Sequence, residues 1–105
     1  MDAKIVTENV NTAISCDYAF ASDLMSDVLC LTSDKVALIT GLCNIQTVRT
    51  ADMADFNLII LARGKKANIE MVNLANENDI IICETGYSVY KTSGLLFSNG
   101  LKPVF

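Results

Sequence analysis

Three short apolar runs, each closed by a glycine, limit what this chain can fold into more than any other feature. Val36-Ala37-Leu38-Ile39 ends at Thr40-Gly41, Leu58-Ile59-Ile60-Leu61-Ala62 at Arg63-Gly64, and Ile80-Ile81-Ile82-Cys83-Glu84 at Thr85-Gly86. The closing glycines stand 23 and 22 residues apart, the length of one strand, one helix and two tight connections. Continuous runs of aliphatic and β-branched residues suit strands covered on both faces. Strands alternating with helices imply right-handed crossovers and a parallel sheet. The expected fold is α/β: a mostly parallel sheet of four or five strands with helices packed on its faces. The 105 residues are read as a single domain.

The segments between the runs carry helix signals. Asn68 is placed to cap a helix, and Glu70 in its first turn suits the helix dipole. Ile69, Val72 and Ala75, with Met71 and Leu74 beside them, form its expected buried face. Ser88 caps a last helix running to Asn99, where Gly100 and then Pro103 end it. The helix expected over residues 47–55 is the least amphipathic. In the first third, residues 4–6 and 18–21 read as strands and residues 9–12 as a turn. Ser22 caps a helix reaching about residue 31, with Leu24, Met25, Val28 and Leu29 on one apolar face. Residues 32–35 form its exit loop.

In an open parallel sheet, ligands bind outside the carboxyl ends of the strands. Those ends carry Thr40-Gly41, Arg63-Gly64-Lys65-Lys66 and Thr85-Gly86. Glycines let backbone approach a ligand, and hydroxyls and helix N-termini suit an anion. Arg49, Arg63, Lys65 and Lys66, four of the eight basic residues, fall in or beside these loops. A small anionic or nucleotide-like ligand is expected here, although Thr-Gly after a strand is also ordinary turn chemistry. A second cluster is Ser22, Asp23, Ser26 and Asp27. Two carboxylates one helical turn apart can bind a metal or transfer protons; they can equally be two acids on a capped surface helix.

Several chemistries are excluded. Without histidine there is no Ser-His-Asp or Cys-His nucleophile arrangement. There is no Walker-type phosphate loop and no Gly-x-Gly-x-x-Gly fingerprint. Cys16, Cys30, Cys43 and Cys83 form no Cys-x-x-Cys pair, so no zinc or iron–sulfur centre is expected and the thiols read as reduced and structural. A net charge of -4 argues against nucleic acid as a partner. The apolar runs are far shorter than the ~20 residues that cross a bilayer, and the first residues do not form a signal peptide. A cytoplasmic, non-catalytic protein without cofactor or metal is expected.

The segment Ala21-Ser22-Asp23-Leu24-Met25-Ser26-Asp27-Val28-Leu29 resembles the early helix of the DRTGG domain family. The later order is also similar: strand, Thr40-Gly41, Gln46-Thr47-Val48-Arg49-Thr50-Ala51, strand, Arg63-Gly64-Lys65, helix, strand, Thr85. The likeness runs over about residues 4–101. The eponymous Asp-Arg-Thr-Gly-Gly string is absent, with echoes at Arg49-Thr50 and Arg63-Gly64. The family looks related to the N-terminal domain of HPr kinase/phosphorylase, and its relatives are attached to CBS pairs or to phosphotransacetylase. The resemblance implies a regulatory or ligand-sensing module that self-associates as a homodimer; a partner enzyme is a further expected partner. The resemblance also adds Gln46 and Thr47 to the candidate site. The competing expectation is a ligand-free homodimeric adaptor, with Tyr87, Tyr90 and Phe97 of the last helix forming either an interface or core.

Overall fold

The computed structural model describes residues 3–7, 16–29 and 35–104. The expected turn at residues 9–12, Cys30 and most of the expected exit loop lie outside them. The elements follow in the order β1 (Ala3–Ile5), β2 (Tyr18–Ala21), α1 (Met25–Leu29), β3 (Val36–Thr40), α2 (Ile45–Met53), β4 (Leu58–Leu61), α3 (Ile69–Glu77), β5 (Ile81–Thr85), α4 (Val89–Ser98) and β6 (Lys102–Pro103). They build an α/β fold on one six-stranded sheet of order β1-β5-β4-β3-β2-β6.

The three apolar runs are β3, β4 and β5. They lie side by side and parallel, in the registers Leu38↔Ile59 and Ile59↔Ile82. β2 joins β3 in parallel, so the glycine-closed ends gather at one edge. β1 pairs antiparallel with β5, Ala3 facing Thr85. The sixth strand goes beyond the expected four or five. β6 is two residues long and contains Pro103, which reads as a helix terminator. Proline has no N–H to give a ladder and is tolerated at an edge, and Pro103 lies beside Ala19 on the outer side of β2.

The sheet's two faces are covered unequally. On one, Val36, Leu38, Ile59, Leu61, Ile80 and Ile82 pack with Val28 of α1, Val48 and Ala51 of α2, and Met71 and Ala75 of α3. On the other, Ile39, Ile60 and Ala62 meet Val89 and Leu96 of α4. This division follows from handedness. From β2 to β5 the chain steps across the sheet in one direction, so right-handed crossovers place α1, α2 and α3 on one face. The step from β5 back to β6 reverses direction, and a right-handed crossover then has to use the opposite face.

The helix boundaries have local causes. The side chains of Asn44, Asn68 and Ser88 accept from Thr47 N, Met71 N and Lys91 N, capping α2, α3 and α4. The last three helices end alike, in left-handed Asp55 (φ 65), Asp79 (φ 57) and Gly100 (φ 103). In each, the next amide reaches back five residues: Phe56 N to Ala51 O (2.8 Å), Ile80 N to Ala75 O (2.9 Å) and Leu101 N to Leu96 O (3.1 Å). This is the Schellman closure, and it folds Phe56 and Ile80 into the core.

Some expectations are corrected. α2 covers Ile45–Met53, not 47–55. Its buried face includes Thr47 and Thr50, which is why the segment lacks amphipathic contrast. Ser22 does not cap α1. Its Oγ accepts from Leu24 N at 3.0 Å in a tight turn, and α1 starts at Met25. The four-residue apolar face is therefore split: Val28 is buried, whereas Leu24 and Leu29 are exposed. On α3, Met71 and Ala75 are buried but Ile69 faces solvent.

Candidate ligand site at the carboxyl edge

The strand ends are tied together by backbone. Arg63 (φ 62) and Gly64 (φ 72) are both left-handed, and Lys65 N donates back to Ala62 O at 3.3 Å. This is the pattern of a type I′ turn, with arginine in a position that favours glycine or asparagine. Arg63 N donates to Tyr87 O (2.8 Å) and Gly64 N to Thr85 O (3.0 Å), fastening the turn after β4 to the loop after β5. Ala62 N donates to Thr40 O at 2.9 Å, fastening it to β3.

Thr40 and Gly41 are engaged from the other side. The Oδ1 of Asp23 accepts from Thr40 Oγ1 (2.9 Å) and Gly41 N (2.7 Å). The chain thus supplies its own anion to the donors that sequence reasoning offered to a ligand. The Gly41 amide, then the Thr40 hydroxyl, hold the Asp23 carboxyl below its ordinary range against the opposing effect of burial, and Arg63 adds attraction. Asp23 lies ahead of α1, so it does not share a helical face with Asp27, and the carboxylate pair does not form on that helix.

Arg63 lies over Gly41. Its Nη2 donates to Gly41 O at 3.4 Å, and a Cβ at position 41 would meet the guanidinium, with Nε at 2.6 Å. Gly41 is thus a place of close approach. Beyond it, Ala21, Ser22, Asp23, Arg63, Ser88, Val89 and Tyr90 line a shallow pocket of about 420 Å³. It holds one guanidinium, one ionised carboxylate, two serines and the exposed ring of Tyr90. Such a lining can pair with an anion, accept from hydroxyls and lie against a flat ring.

Of the residues expected at the site, Arg63, Ser22 and Asp23 line this pocket, while Thr40, Gly41, Gly64 and Thr85 do not line it but hydrogen-bond to Asp23 or at the turn that carries Arg63. Thr40, Thr47 and Thr85 are buried, and Thr47 Oγ1 is spent on Leu42 O at 2.7 Å. Gln46, Arg49, Lys65 and Gly86 are exposed but do not line the pocket, nor do Ser26 and Asp27. Ser88 and Tyr90 were missed as pocket residues. Their signal was the position of Ser88, where β5 hands over to α4 at the same sheet edge.

A second polar group sits on the other face of this edge. Glu84 is buried; its Oε2 accepts from Ala67 N at 2.8 Å, and Lys66 Nζ stands 3.7 Å from Oε1. The Cys43 thiol donates to Lys66 O at 3.0 Å. These bonds hold the loop before α3 in place. Cys16, Cys43 and Cys83 are free thiols pushed up in pKa chiefly by burial. Among the described residues no group of three or more acidic or cysteine side chains could hold a metal, and no helix is long and apolar enough to cross a membrane.

No family model and no curated protein matches the sequence. Among solved structures, the chain is similar to the CBS and DRTGG domains of the regulatory region of Clostridium perfringens pyrophosphatase, complexed with its activator diadenosine tetraphosphate. The TM-score is 0.76 at 17% sequence identity, over 97% of this chain and 44% of that one. The chain therefore spans less than half the length of that regulatory region. The likeness is one of fold, and the fold is DRTGG-like.

Proposed function

We propose that this chain is a non-catalytic regulatory module that senses a nucleotide or similar small anionic metabolite at the carboxyl edge of its sheet. The observation that carries the reading is Arg63. Its backbone is held in a sparsely populated conformation by two hydrogen bonds that the Arg63 and Gly64 amides donate to the loop after β5. Its guanidinium rests over Gly41 and lines a pocket beside Asp23, Ser22 and Ser88. Local strain that the surroundings maintain points toward function. A guanidinium beside a carboxylate suits a ligand carrying both anionic oxygens and hydroxyls, as a nucleotide does. The related fold of a regulatory region bound to a dinucleotide activator supports this choice. A partner enzyme in the cytoplasm would be the target of the signal.

The test is thermal unfolding and calorimetric titration with ATP, diadenosine tetraphosphate and tripolyphosphate. A ligand at a hundredfold excess over Kd stabilises by about 2.7 kcal/mol. Binding that Arg63→Ala abolishes is the expected result; no binding of any of the three would defeat the reading.

A second reading, the ligand-free homodimeric adaptor, is favoured by one observation. Tyr90 and Phe97 of α4 are 89% and 67% exposed, too much for core residues. Light scattering at micromolar concentration distinguishes it: a dimer that binds none of the three ligands would favour the adaptor.

A further inference from the structure

Resting on the nucleotide reading, we infer that the groove between α4 and β2 is the subsite for the planar base of that ligand. The groove has a volume of about 330 Å³ and an almost wholly apolar lining. Its floor is the small side chains of Ala19 and Ala21 with Ile39, and its wall is the α4 face bearing Tyr90, Gly94 and Phe97. Those three residues are spaced i, i+4 and i+7, so they follow one stripe of the helix.

Two observations point to an occupant of this kind. The groove adjoins the polar pocket, because Ala21 and Tyr90 line both. A ligand with its anion at Arg63 and hydroxyls near Asp23 therefore has an apolar slot directly beyond Tyr90. The other is Gly94. Glycine is costly inside a helix, and a Cβ at this position would meet nothing within 4 Å. Packing within the chain does not require glycine there. A side chain at 94 would instead project into the groove, and its absence leaves room for a flat ring between Tyr90 and Phe97. Stacking on such rings tolerates any base, since every base has a π-face.

The experiment compares ATP, GTP and diadenosine tetraphosphate with tripolyphosphate, which carries the anion without a base, by calorimetry on the whole chain. Gly94→Leu fills the groove and Arg63→Ala removes the anion contact; circular dichroism verifies that both variants fold. The expected result is that at least one nucleotide binds about tenfold more tightly than tripolyphosphate. Gly94→Leu should erase that preference without changing tripolyphosphate affinity, whereas Arg63→Ala should abolish binding of both. Equal binding of nucleotides and tripolyphosphate to the wild type would overturn the base subsite and leave the anion site standing. A preference that survives Gly94→Leu would also overturn it. So would a Gly94→Leu variant whose only change is its oligomeric state, which would assign the groove to a second copy of the chain. Absence of all binding would overturn both this inference and the reading beneath it.

Discussion

Replacing Arg63 should separate stability from binding. The residue sits at φ 62 between two fixed hydrogen bonds, so the turn keeps its shape whatever side chain it carries. An L-residue in this region costs about 1–2 kcal/mol. Arg63→Gly removes that cost but restores about 0.4–1 kcal/mol of unfolded-chain entropy. The bond from Nη2 to Gly41 O is long, at 3.4 Å, and only partly buried, and contributes little. Arg63→Gly should therefore stabilise the protein by about 0.5–1 kcal/mol, on the order of 2–6 °C in Tm. Arg63→Ala keeps the strained backbone and should lie within about 0.5 kcal/mol of wild type. Both variants should lose tripolyphosphate binding. Asp79→Gly calibrates the backbone effect at a left-handed position that does not line the pocket. Urea unfolding at fixed m-value reads the stabilities and calorimetry the binding. Arg63→Gly less stable than Arg63→Ala would refute the argument that the turn holds a strained arginine for the sake of its side chain.

Other expectations follow from the same edge. Asp23→Ala leaves the Gly41 amide and Thr40 hydroxyl without their acceptor and should cost about 1–2 kcal/mol at neutral pH, discounted for the exposure of the carboxylate. Because the folded carboxyl is held below its unfolded value of about 3.9, this contribution is present above that pH and is lost as pH falls through the lower folded value. Denaturant unfolding of wild type and variant from pH 7 to pH 2.5 should show the gap closing only at the acid end. Glu84→Ala should cost about 1–3 kcal/mol through the orphaned Ala67 amide. Lys66→Ala should cost less than about 0.5 kcal/mol, since its side chain is 76% exposed. Gly41→Ala displaces a flexible, exposed guanidinium, so it should change stability by under about 1 kcal/mol and yet weaken tripolyphosphate binding in calorimetry.

The sheet was legible in the sequence because β3, β4 and β5 are buried on both faces. That demands unbroken apolar runs, and glycine-bearing turns punctuate them. Caps at Asn68 and Ser88 were legible because capping is a local interaction three residues long. What depends on distant contacts was not. The Asp23 carboxylate meets Thr40 and Gly41 across a separation of 17 and 18 residues, and nothing in the spacing of Ser22-Asp23 announces it. α2 was blurred because buried threonines read as polar, although Thr47 satisfies its hydroxyl on Leu42 O. Leu24 and Leu29 show the reverse error: periodicity marks apolar residues without saying whether a neighbour exists to cover them. Arg63 and Lys65 were indistinguishable as basic residues of one loop. The positive φ at Arg63 turns its side chain across Gly41, and that geometry separates them.

The two rims of the sheet bear on how the chain assembles itself. Ala3 registers with Thr85, and Ala19 with Pro103, so each outer strand meets its partner only after some eighty intervening residues. The β3–β4–β5 units need no such reach and can close through connections of a single helix. On a ribosome they can form as soon as residue 85 has emerged, whereas β2 waits for residues 102 and 103 before its outer side is paired. Loop closure over such distances is slow to pay back its entropy. The central strands should therefore acquire amide protection first and both rims last, an order that pulse-labelled hydrogen exchange during refolding would resolve.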